Sequence, residues 1–233
     1  MIENLPGYIS ISFILTTFLT IGFLFYAVKQ TVFDTTPAKI VISLISFWIF
    51  VSAILAVGGF YQNTSTVPPR LFLFAVLPAL LLIISLFIFA RKSFIEPLPL
   101  KILTILHIVR IAVELILHQL YENKLIPQIM TFEGWNFDIL SGITAPIIFW
   151  LAFRGGKTNR TLLIVWNIFA LLLLINIVTI AILSVASPIQ KFAFDQPNRA
   201  VLYFPFIWLA AIIVPIVLFS HLASLWKLVI SNR

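Results

Sequence analysis

His107, Arg110, Glu114 and His118 follow one another at spacings of three, four and four residues in the stretch KILTILHIVRIAVELILHQLY, Lys101 to Tyr121. At about 100° per residue these side chains fall on one narrow arc of a helix, and Tyr121 closes the stripe. The rest of the stretch is mostly apolar, so the helix has one wet face. Ionisable groups at bilayer depth are expensive; they face a protein interior or a water-filled cavity and by default mark a functional site. Glu114 and the two histidines are suited to relaying protons or holding a cation. Arg110, four residues before Glu114, either neutralises it or captures an anionic substrate group.

The loop that follows, ENKLIPQIMTFEGWNFDILSGITAP, is dense in usable groups: Thr131, Glu133, Asn136, Asp138, Ser141 and Thr144, with Gly134 and Gly142 supplying backbone freedom. It opens above Glu114 and His118, and Phe132, Trp135 and Phe137 are expected to hold it down as a lid. Asp138 joins the binding or proton-relay set on this reading, and Asn176 is a further candidate. Asn167 is expected to serve helix packing.

Two cofactor readings arise from the same residues. Glu114 and His118 at i and i+4 can ligate one divalent metal, with Asp138 or Glu133 completing a set suited to Zn, Mn or Fe. His107 and His221, at comparable depth on two helices, are the one pair available as axial ligands to a haem. Cysteine is absent, which excludes disulfides, thiolate metal sites and a cysteine nucleophile.

The elements that must position these groups are apolar. Of 233 residues 61% are hydrophobic and only 10% charged, and the mean hydropathy is +1.12, well outside soluble-domain composition. We expect an all-α, polytopic integral membrane protein forming one transmembrane domain over residues 1–233. Seven runs qualify, at about 8–28, 40–60, 71–90, 100–121, 139–153, 162–186 and 201–230. Prolines at 78, 146, 205 and 215 are expected to kink their helices. Trp135, Trp150, Trp208 and Trp226 fit interfacial anchoring.

With seven spans, ten basic residues lie on one side: Lys29, Lys39, Arg91, Lys92, Lys101, Arg154, Lys157, Arg160, Lys227 and Arg233. Only Arg70, Lys124, Lys191 and Arg199 lie on the other, while Glu3, Glu122, Glu133, Asp138 and Asp195 make that side acidic. The positive-inside rule then puts the amino terminus outside and the carboxyl terminus in the cytoplasm, with a bacterial cytoplasmic membrane as the expected location. The net charge of +7 is accounted for by these loops, so nucleic acid is not an expected partner. The last helix has no mid-membrane lysine for a retinal Schiff base, and no H-x-x-x-H, Walker, nucleophile-elbow or dinucleotide fingerprint is present.

The function expected first is a small transporter or permease-like protein, proton- or cation-coupled, with an outward-facing polar cavity on the fourth helix and a small molecule or ion as substrate. The alternative is a membrane-embedded, metal-dependent enzyme acting on a lipid or a small extracytoplasmic molecule. A third reading is an assembly subunit whose stripe is satisfied by a membrane protein partner.

Overall fold

The computed structural model describes residue 2 and residues 5–229. Glu3 and Arg233, which entered the charge count, and Ile230 at the end of the last run lie outside the described residues. The protein is all-helical: 75% of it is helix, with no strand among the described residues.

Six helices are long and apolar enough to cross a membrane: α1 (Gly7–Thr31), α2 (Thr36–Val57), α3 (Phe72–Phe89), α5 (Ile139–Phe153, prolonged by a 3-10 turn to Gly156), α6 (Arg160–Leu183) and α7 (Leu209–Val229). The remaining long helix, α4 (100–122), is assembled from Leu100–Ile105, a 3-10 turn Leu106–Ile108 and Val109–Glu122. Its charges set it apart by composition, and packing explains how it accommodates them. α4 lies inside the bundle against α1, α5 and α7, so the stripe has protein to face. The tight turn has three residues per turn, which stacks His107 and Arg110 one above the other on the same side.

Side-chain caps fix two helix starts. Thr35 caps α2 by accepting the Ala38 amide, with Pro37 in the first turn, and Asn159 caps α6 by accepting the Leu162 amide. Two of the four prolines follow wide π-turns: Phe72–Val76 before Pro78 and Leu209–Ile213 before Pro215. A proline leaves the carbonyl one turn back without its donor, and the widened turn accommodates the ring. Pro146 lies within α5. Pro205 differs from expectation: the apolar run 201–230 does not start as helix. Ala200–Leu202 is a buried 3-10 turn, Phe204–Pro205 is cis, and α7 follows this segment.

The tryptophans divide. Trp135 and Trp150 are exposed, and Arg154 sits over the Trp150 ring. Trp208, expected at the interface, is instead buried and donates to the Ile49 carbonyl at 3.1 Å. At the basic end, Lys227 donates to the Leu98 carbonyl, Arg160 to the Leu228 carbonyl, and Arg91 lies over Trp226. These contacts gather the α3–α4 loop and the ends of α6 and α7.

Gly134 and Gly142 have a use other than flexibility, since neither takes a positive φ. A Cβ on Gly142 would meet the Ile111 Cγ1 at 2.7 Å and the Ile111 amide nitrogen at 2.8 Å, and one on Gly134 would meet Ile129 Cα at 2.6 Å. Both permit backbones to touch, and Gly142 lets α5 close onto α4 one residue from Arg110. Gly142→Ala is therefore expected to destabilise the fold by about 1–3 kcal/mol through overpacking. The effect should appear as an earlier thermal transition in detergent; an unchanged transition would show that the helices simply separate without cost.

Candidate functional site

Arg110 is the hub. Its Nε donates to Asp138 Oδ2 at 2.6 Å, and Nη2 donates to Asp138 Oδ1, giving a bidentate ion pair with both residues buried. Nη2 also donates to the Ala170 carbonyl at 3.1 Å, and Nη1 lies 3.0 Å from His221 Nε2. Asp138 stands at the start of α5, so the pair ties α4 to α5, while Ala170 and His221 bring in α6 and α7.

The expected Arg110–Glu114 pair is not formed; Arg110 turns to Asp138. An i, i+4 pair on one helix meets side by side over its surface. Asp138, coming from another helix, meets the Nε–Nη2 edge of the guanidinium in the stronger two-bond geometry.

Hydrogen bonding sets the His221 tautomer. Asn167 donates its Nδ2 to the Leu163 carbonyl at 2.8 Å, so its Oδ1 accepts from His221 Nδ1–H at 2.9 Å. Nε2 is then the lone-pair nitrogen and accepts from Arg110. Asn167 thus has a place in the network beyond packing. His107 stacks on His221 with ring centroids 3.9 Å apart and planes 20° apart, and Trp166 packs edge-on against it. Neither ring nitrogen of His107 has a partner among the described residues. Axial haem ligands hold an iron between two nitrogens, and these two rings instead meet face to face.

Glu114 belongs to a second branch. Asn136, fully buried, donates to Glu114 Oε2 at 2.6 Å and to the Met130 carbonyl at 2.9 Å, and its Oδ1 accepts the Asp138 amide at 3.0 Å. One amide side chain therefore positions both acids. The loop segment 130–138 enters the bundle and buries Met130, Thr131, Asn136 and Asp138. Of its aromatic residues only Phe132 packs down, 4.9 Å from the His118 ring, while Trp135 and Phe137 point outward.

The outer end of the stripe is separate. His118 Nδ1 lies 3.9 Å from Glu133 Oε1, and Tyr121 is beside His118 at 6.3 Å between rings. Asn176 is exposed and donates to the Trp135 carbonyl, so it fastens the loop rather than lining a site. The metal reading needs Glu114 and His118 to converge with Asp138 or Glu133. They are divided between two places, and no group of three His, Asp or Glu side chains able to hold a metal occurs among the described residues.

A cavity of about 290 Å³ lies beside the network, walled by α3, α6 and α7, with Arg110, Glu114 and Asp138 at its polar end. Its other walls are almost wholly aliphatic, from Leu71 and Val76 across Leu174 and Val178 to Ile213 and Val217. It extends to Ile175 and Thr179, both on the exposed side of α6. Glu114 is 1% exposed, and among the described residues it forms no ion pair and its Oε1 has no hydrogen bond. Asn198, 2% exposed, also lines the cavity; it donates to the Ala181 carbonyl but its own Oδ1 is unpartnered. Nothing in the sequence distinguished Asn198 from other loop asparagines. Asn136 had a signal in the polar density of its loop.

A family model described as a domain of unknown function, DUF8737, matches residues 68–229, and the chain belongs to that family. The matched stretch covers α3 to α7 and holds every residue of the network and the cavity. No curated protein and no solved structure matches the chain.

Proposed function

We propose that this family member is a small multi-pass carrier in which Glu114 takes a proton and a cationic substrate in turn. The observation that carries the reading is the state of Glu114: a carboxyl in the wall of an apolar cavity, held by one neutral donor, with the nearest arginine committed to Asp138. A carboxylate in a low-dielectric site strongly favours an exchangeable positive charge beside it. Arg110, His221 and Asn167 are positioning residues that fix Asp138 and, through Asn136, the orientation of Glu114.

In this reading all seven long helices cross the membrane, with α4 the polar inner one. The bias of ten basic residues against four supports an external amino terminus and a cytoplasmic carboxyl terminus, in a bacterial cytoplasmic membrane. The cavity then lies in the outer half of the bilayer. Glu114 stands eight residues from the end of α4, roughly 12 Å along the helix.

The test is proton flux in proteoliposomes with a trapped pH indicator, challenged with a series of organic cations. Wild type should move protons against at least one of them, and Glu114→Gln should abolish the flux while the protein still elutes as a single species. Cation-driven flux that persists in Glu114→Gln, or none with any cation in wild type, would refute the proposal.

A further inference from the structure

We infer that the substrate of this site is a long-chain amine, an amphiphile with a protonated head and one hydrocarbon tail, which enters sideways from the bilayer between α3 and α6. This rests on the exchange reading of Glu114 and specifies what is exchanged.

The head follows from the free polar atoms. Glu114 Oε1, an acceptor at the polar end of the cavity, has no hydrogen bond among the described residues. Arg110 has its Nε and Nη2 on Asp138, Nη2 also on Ala170, and Nη1 on His221. These bonds occupy four of its five N–H groups, so a phosphate or carboxylate head would find at most one from Arg110, at Nη1, and would stand beside the Glu114 carboxylate. A bare alcohol can hydrogen-bond but brings no positive charge to Glu114. An ammonium supplies both donors and charge to this carboxylate.

The tail follows from the walls. Beyond the polar end the lining is aliphatic, and about 290 Å³ is at the lower limit of small-molecule sites, about 300–1,000 Å³. A small hydrophilic cation would leave that surface bare, whereas a hydrocarbon chain covers it. The entrance follows from exposure: Ile175 is 51% exposed on the outer side of α6 and is also part of the lining, so the cavity meets the surface that lipid covers. A ligand dissolved in the bilayer reaches Glu114 along this path without crossing the loops.

The experiment is saturation binding of radiolabelled tetradecylamine to the full chain in neutral detergent, with tetradecanoic acid, tetradecanol and methylamine as competitors, alongside proton exchange driven by methylamine. We expect saturable binding, weakened at least about tenfold in Glu114→Gln by loss of a charge-assisted bond. Ile175→Trp, a change that narrows the entrance, should weaken tetradecylamine at least about tenfold. Equal competition by tetradecanoic acid, or binding indifferent to both substitutions, would overturn the inference. Proton exchange with methylamine but no tetradecylamine binding would refute the amphiphile and spare the exchange reading. Absence of both would refute both.

Discussion

Arg110→Leu is expected to cost about 3–5 kcal/mol of stability, the typical penalty for removing one member of a buried ion pair. The loss goes beyond a contact. Asp138 would keep only the Asn136-positioned backbone around it, His221 would lose its donor at Nε2, and the Ala170 carbonyl would lose its second hydrogen bond. The charge of Asp138 would then stand alone in a site where both partners were buried. Arg110→Leu combined with Asp138→Leu removes both charges and should recover most of the loss, because well-packed apolar replacements of buried ion pairs are often neutral or stabilising. Thermal unfolding in one detergent, across the two singles and the double, measures this. A double substitution no better than Arg110→Leu alone would mean that the pair is not the source of the penalty.

Asn136→Leu should follow closely, at about 3 kcal/mol or more, since each buried polar group left unmade costs about 1–3 kcal/mol and this change strands three. They are Glu114 Oε2, the Met130 carbonyl and the Asp138 amide. Asn136→Asp is the informative companion. It keeps an acceptor for the Asp138 amide but turns a donor to Glu114 into a second carboxylate. Where Asn136→Leu lowers stability, Asn136→Asp should in addition alter the pH dependence of cation-driven flux. Identical pH profiles in wild type and Asn136→Asp would show that Asn136 does not position the exchanging group.

The apolar runs were legible because bilayer thickness dictates their length, and most helix limits fall within a few residues of the runs. The exception is the start of the last run, where 200–206 is as hydrophobic as a span yet forms a 3-10 turn and a cis-proline corner. Hydropathy reports burial, and this segment is buried without being regular helix. The polar helix was legible from the periodicity of four ionisable residues. Its pairing was not, because Asp138 reaches Arg110 across 28 residues through a loop that folds inward, a contact no local pattern encodes. The same limit applies to His221: its depth could be read from position along a helix, while its stacking on His107 depends on how α4 and α7 face each other. Asn198 stayed hidden for a simpler reason, since one asparagine in a polar connection looks like any other until a cavity is seen beside it.

The central claim is that Glu114, and not Asp138, gives up its proton when the cation arrives. Infrared difference spectroscopy on membranes, with and without a transported cation, tests it directly. Cation binding should remove a protonated-carboxyl band and add carboxylate intensity, and the band should be missing from Glu114→Gln. A difference spectrum that survives in Glu114→Gln, or shows no carboxyl change at all in wild type, would contradict the account.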